Sequence, residues 1–339
     1  MRDLRSLCVL VLAGLALAGT GCKRESSSRA ADAPLRLGFF PNITHAQALV
    51  GNAEGTFASE PGVGKLEVRQ FNAGPAAMEA LVAGSVDVSY VGTGPAINTF
   101  LKAGKDLRII AGAVDGGAML VTRTAKSAAE LKGKKVATPQ LGNTQDIALR
   151  YWLKQQGLST NIDGSGDVQI VPLSNSDILV QYLRGGIEGA WVPEPWATRM
   201  LLEPGGGGQV LVDEKSLWPD GRFPTTVIVT TRKVLETQRP RVVALLRAHV
   251  KLTDRWKQDP SGFASAVNAA FGQLTHKPLA APILQGAFTH LQPSLDPQPS
   301  ALSTAAQHAK DVGFIPSADI DGIVDLGALK EAQGGAAPK

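Results

Sequence analysis

The first two thirds of the chain alternate short apolar runs with helically spaced ones. Blocks at Leu35–Phe40, Leu66–Phe71, Val86–Val91, Arg108–Ala113, Met119–Thr122, Val168–Pro172 and Thr225–Thr230 read as strands. Ala46–Ala53 reads as a helix. So does Asp146 to Gln156, with Ile147, Ala148, Tyr151 and Trp152 on one stripe. Strand and helix in alternation predict an α/β chain of βαβ units with parallel sheets. From Arg239 the pattern is helical. Val242, Leu245, Leu246 and His249 fall at i, i+3, i+4 and i+7, and further helices are expected over 261–274, 281–291, 302–312 and 320–332.

The pattern repeats. Phe71–Val91 (FNAGPAAMEALVAGSVDVSYV) and Pro172–Val192 (PLSNSDILVQYLRGGIEGAWV) each pass from a strand end through a polar turn into a helix of about nine residues, then read Gly-x-x-acid before an apolar strand. Gly84 corresponds to Gly185 and Asp87 to Glu188. Leu35–Val50 stands about a hundred residues ahead of Lys135–Arg150 in the same role. Two lobes of one design follow, with turns at the C-terminal strand ends lining a cleft. The expected division is 34–124 plus 226–333 for lobe one and 125–225 for lobe two. The crossings near 123–126 and 224–227 would act as the hinge.

The stretch Val136–Arg150 (VATPQLGNTQDIALR) shows what each turn offers. A strand gives way to Gly142-Asn143-Thr144 and then to a helix, with Asn143 at the N-cap position and Asp146 three residues on, as in a capping box. Such an end presents backbone N–H groups and a partial positive charge, which suits an anion. Gly92-Thr93-Gly94 is half of a dinucleotide fingerprint. Its third glycine is missing, and we read it as a tight anion-cradling or packing turn, not a nucleotide site. Gly205–Gly208 lacks the Gly-Lys-Ser/Thr ending of a phosphate loop.

The chain begins with a basic pair, Arg2 and Arg5, and an apolar run from Leu7 to Ala18, shorter than the roughly 20 residues of a membrane span. Small residues and Cys22 follow, with Gly19 where leucine is usual. This resembles a lipoprotein signal: 1–21 as signal peptide, Cys22 as the lipidated residue, 22–33 as a polar tether. The other cysteine, Cys8, lies inside the apolar run, so the mature domain would have no thiol chemistry and no disulfide. Residues 334–339 are expected to be a disordered tail.

A hydrophobic content of 44% allows two sizeable cores. The net charge of +4 includes Arg2, Arg5, Lys23 and Arg24, so the folded part is near neutral and nucleic acid is not the expected partner. The histidines show no HExxH spacing. There is no Gly-x-Ser-x-Gly elbow and no paired catalytic carboxylates. Glu194, between Pro193 and Pro195, either offers a carboxylate to a ligand's ammonium or caps the following helix. His45, after a strand-end turn, touches ligand or, with Glu194, a metal. Phe39, Phe40, Trp191 and Trp196 supply either apolar walls or core.

Four segments, FFPNITHAQALVG, FNAGPAAMEALVAGSVDVSYVGTGPAINTFLKAG, ATPQLGNTQDIALR and AWVPEPWATR, together resemble the substrate-binding proteins of ABC importers for aliphatic sulfonates, a group related to nitrate and taurine binders. The resemblance runs from about Leu35 to Val250. It implies a two-lobe type II periplasmic-binding-protein fold with a ligand cleft between the lobes and a helical C-terminal region. It implies a monomeric, non-enzymatic receptor without a cofactor, held at the cell envelope by its lipid. This receptor would deliver a small organic anion or zwitterion to a permease and its ATPase. It places ligand contacts at Asn42, Thr44, His45, Gly74, Thr93, Gly94, Gly117, Asn143, Thr144, Gln145 and Glu194. Nitrate, a thiamine or pyrimidine precursor or a metal ion are the alternative solutes, and a pyrimidine synthase the alternative class. The synthase-type members carry a cysteine-rich motif that this sequence lacks.

Overall fold

The computed structural model describes residues 33–334. The expected signal peptide, Cys22, nearly all of the expected tether and most of the expected tail lie outside the described residues.

Two sheets organise the chain, and they share one plan. In the first, β1 (Leu35–Phe39) pairs in parallel with β2 (Leu66–Gln70) and β3 (Val88–Val91). In the second, β6 (Lys135–Thr138) pairs in parallel with β7 (Gln169–Pro172) and β8 (Gly189–Pro193). Each sheet then takes one antiparallel strand that follows the other sheet's residues in sequence. Strand β10 (Pro224–Thr231) inserts between β3 and β4 (Leu107–Gly116), while β5 (Ala118–Thr122) inserts between β8 and β9 (Gln209–Asp213). Strand β11 (Leu291–Pro293) closes the edge beside β4. The chain therefore passes between the sheets twice, with its parallel strand ends facing one region.

The first passage lies earlier than the sequence indicates. Residues 118–122 belong to the second sheet, and the change comes at Gly116 and Gly117, both with φ of 75°. Only glycine takes that left-handed conformation without strain, so the backbone turns there. The apolar run continues across these glycines and hides the break. The return enters the first sheet at Pro224, as expected.

Other elements shift for similar reasons. Between β5 and β6 the chain makes a single 3-10 turn, Ala129–Leu131. The helix expected over 320–332 forms only at Gly327–Ala332. The preceding residues run beside β4, where Ile109 donates to Ile323 O at 2.7 Å and accepts from Asp325 N at 2.9 Å. A neighbouring strand end satisfied that backbone and overrode its helical spacing. Past Gly205–Gly208 the chain enters strand β9, which the sequence reading missed.

The predicted stripe Val242, Leu245, Leu246 and His249 is fully buried on the first sheet, within the Arg232–Gln258 helix. His249 is the polar member. Its Nδ1 lies 2.9 Å from Tyr90 Oη and its Nε2 3.0 Å from Gly112 O, so it satisfies both partners as a neutral ring. Burial holds its pKa down at about 4. Among the described residues, no helix is long and apolar enough to cross a membrane.

Candidate functional site

The parallel strand ends of both sheets converge on a small cavity with about 30 Å³ of free space at its centre. The first sheet supplies Phe40, Asn42, Thr44 and His45 after β1, Ala73 and Gly74 after β2, and Gly92 after β3. The second supplies Pro139, Asn143, Thr144 and Gln145 after β6, Asn175 after β7, and Pro193 at the end of β8. Thr225 and Thr226 of β10 complete the wall. Three pairs stand 101 positions apart: Asn42 and Asn143, Gly74 and Asn175, Gly92 and Pro193. The repeat seen in sequence thus places matching turns on opposite sides of one cavity.

Local chemistry explains each turn. Asn143 Oδ1 accepts from Asp146 N at 2.8 Å and so caps the Thr144–Gln155 helix, as predicted. The Asp146 carboxylate reaches Gly142 N at 2.9 Å and Arg150 Nε at 3.1 Å, so it serves the turn and a fully buried ion pair. Asn143 Nδ2 donates to Gln145 Oε1 at 3.2 Å, orienting both carboxamides. Across the cavity, the Gly74–Val82 helix has no side-chain cap at its N-terminus. Pro75 has no N–H, so it is the Gly74 N–H that is left without a side-chain cap beside the free space.

No Asp, Glu, Lys or Arg lines the wall. His45 is buried, packs tilted against the Phe40 ring with centroids 4.3 Å apart and 35° between the planes, and accepts from Phe40 N at Nδ1 over 3.4 Å. Burial pushes its pKa down to about 3, so it is a neutral ring at physiological pH. The cavity wall thus offers dipoles and hydroxyl or amide groups, without fixed charge.

Two of those groups are buried without a partner: Asn175 Oδ1 and Thr226 Oγ1. Buried polar atoms are nearly always paired, by protein, water or ligand. Thr226 sits at a double register shift of β10 against β4, an irregularity of the kind that re-aims a side chain. The sequence reading missed Asn175, Thr226 and exposed Asn72. Asn175 was within reach of the repeat, as the counterpart of Gly74. Thr226 was hidden inside a run of β-branched strand residues.

Four of the expected contacts lie outside this wall. Glu194 is fully buried, and its carboxylate accepts from Thr198 Oγ1 at 2.7 Å and Thr198 N at 3.1 Å. It caps the Trp196–Leu202 helix, the second of the two roles open in sequence. Burial pushes its pKa up to about 7. Gly117 packs against it, since a Cβ there would lie 3.6 Å from Glu194 Cγ and 2.1 Å from Leu291 Cδ2. Gly94 donates its N–H to Thr144 Oγ1 at 3.2 Å, a bond between the two halves that uses the donor internally. Thr93 starts the Thr93–Lys102 helix behind the wall residue Gly92. Of the aromatics, Trp191 is core, with Nε1 donating to Glu214 Oε2 at 2.7 Å. Trp196 donates to Asn42 Oδ1 at 2.8 Å.

Comparison with known proteins places this geometry. Residues 28–270 match the model of the NMT1-like family. The taurine-binding periplasmic protein of Escherichia coli K12 is 26% identical over 287 residues, covering 80% of this chain and 84% of that protein. The alkanesulfonate-binding protein SsuA of Xanthomonas axonopodis pv. citri, bound to MOPS, superposes with a TM-score of 0.72 at 20% identity, covering 86% and 98%. The periplasmic nitrate-binding protein NrtA of Synechocystis PCC 6803 gives 0.75 at 18% identity, covering 90% and 89%. The fold is that of the two-lobe periplasmic binding proteins.

Proposed function

Because the chain belongs to the NMT1-like family, we propose that it is the solute-binding component of an ABC importer for a small organic anion of the aliphatic sulfonate or taurine type. It works as a monomer outside the membrane, tethered through lipid on Cys22, and hands its solute to a permease with its ATPase. One observation carries the reading. A polar cavity between two repeated half-sites, lined by no charged side chain, holds a buried hydroxyl without a partner, Thr226 Oγ1, which is free to donate to an oxyanion.

An oxyanion suits such a wall. The uncapped Gly74 N–H, the carboxamides of Asn42 and Gln145, and the Thr44 and Thr226 hydroxyls donate without a counter-charge. A ligand held by both halves favours the closed arrangement by its differential affinity for it, with the two lobes moving about the two passages. The wall offers an ammonium no carboxylate, since Glu194 is engaged elsewhere, and the neutral Asn175 Oδ1 is the acceptor left for a donor on the solute. No carboxylate, lysine or thiol lines the cavity, and a binding role therefore fits better than acid–base catalysis.

Calorimetry and thermal shift with methanesulfonate, ethanesulfonate, taurine, nitrate and sulfate test this. A saturable organosulfonate response that raises the melting temperature is expected. Silence toward every anion, with a response to a pyrimidine or to Zn²⁺, would overturn it.

A further inference from the structure

The small cavity opens into a much larger space. Asn42, Asn72 and Asn175, at its mouth, also line a groove of about 600 Å³. One wall of the groove comes from the Asn175–Leu183 and Trp196–Leu202 helices and carries Leu179, Val180 and Leu202. The other comes from the end of the Pro260–Thr275 helix and the residues after it, with Phe271, Leu279 and Ile283. Leu179, Phe271, Leu279 and Ile283 are buried, whereas Val180 and Leu202 are 42% and 53% exposed. Exposed apolar side chains flanking an apolar recess mark a surface that binds something. Of the groove's charges, Arg199 and Glu203 are paired at 2.7 Å, which leaves Lys277 exposed.

We propose that this groove is the tail subsite of a two-part site. The head of an amphiphilic organic anion occupies the small cavity, and an alkyl chain or ring of several carbons passes between the three carboxamides into the groove. This rests on the solute-binding reading above and narrows its substrate class from compact anions to alkyl or aryl ones. Continuity supports it, because the two spaces share lining residues rather than merely lying near each other. Proportion supports it too: free space of about 30 Å³ beside 600 Å³ suits a solute that is small in its polar part and large in its apolar part. The groove walls also belong to opposite halves of the molecule. A tail lying there would join the halves as the head does and add to the preference for the closed arrangement.

The test is calorimetry with unbranched alkanesulfonates from methane- to octanesulfonate. Affinity is expected to rise about threefold to fourfold per methylene as the chain fills the groove. Val180→Asp and Leu202→Asp, both at exposed positions, are expected to flatten that rise and leave methanesulfonate affinity unchanged. Equal melting temperatures of the unliganded proteins would show that their folds are intact. If methanesulfonate binds but affinity stays flat or falls with chain length, the tail subsite is overturned and the solute-binding reading survives. A rise that neither substitution alters would mean that the tail leaves elsewhere, which also overturns the assignment. If no sulfonate of any length binds, both readings fall.

Discussion

Trp196 donates its indole N–H to Asn42 Oδ1 at 2.8 Å, and the two residues come from different halves of the molecule. Trp196 starts the helix after β8, and Asn42 sits in the turn after β1. The bond is buried, so each partner depends on the other for satisfaction. Trp196→Phe keeps the ring and removes the donor. A net loss of about 1 kcal/mol, the worth of one such bond, is expected to fall on the closed arrangement and weaken solute binding about fivefold. Calorimetry measures it. An unchanged affinity would show that the bond does not contribute to closure.

Thr226 makes a prediction with an opposite sign for stability. Its hydroxyl is buried without a partner, so the unliganded protein carries an uncompensated polar group. Thr226→Val removes the hydroxyl at nearly constant shape. The unliganded melting temperature is expected to hold or rise, while solute affinity falls about tenfold, as for loss of one hydrogen bond to a charged group. A fall in both would show that the hydroxyl serves the fold instead.

Glu194 gives a pH prediction. Its folded pKa is raised to about 7 from an ordinary 4.5, by burial against the weaker pull of Thr198. A raised carboxyl binds its proton more tightly when folded, so its contribution to stability is fully present below pH 4.5 and is lost as pH rises toward 7. Glu214 shares this direction, with burial raising it to about 7. His45, lowered to about 3, works the other way: its contribution is present above pH 6.5 and is lost as pH falls toward 3. Glu194→Gln keeps an acceptor for Thr198 and cannot ionise. The melting temperature of the variant relative to the native protein is expected to increase from pH 5 to pH 8, with about 3 kcal/mol as the ceiling. A pH-independent difference would contradict the raised pKa.

Much of this site was legible because its chemistry is local. Asn42, Gly74 and Asn143 lie in turns between an apolar strand and a helix, and such turns are written in consecutive residues. What failed depended on contacts distant in sequence. Thr226 faces the cavity only because β10 lies between β3 and β4 with an irregular register. Glu194 seemed presented by its flanking prolines, but Thr198, one turn on, takes its carboxylate. Gly94, placed at the ligand by the resemblance, gives its N–H to Thr144 from the other sheet. The same distinction separates the helices that held from the stretch before Gly327, which a neighbouring strand drew out of its periodicity.

Gly92 makes the sharpest test of closure. It lines the cavity at the end of β3, and a Cβ there would lie 2.3 Å from Thr144 Oγ1, across the cleft. Its φ of −71° is open to any residue, so alanine brings no backbone strain. The methyl group therefore acts as a wedge whose effect depends on the approach of the two halves. It collides in the closed arrangement and meets nothing from the second sheet once the halves part. Gly92→Ala is expected to leave the unliganded protein folded, to lower solute affinity more than tenfold, and to enlarge the unliganded radius of gyration measured by small-angle X-ray scattering. Gly92→Ser should do the same, which separates a steric wedge from loss of a polar contact. If Gly92→Ala binds solute as the native protein does, Thr144 can move aside, and the close fit of Gly92 against Thr144 does not control closure.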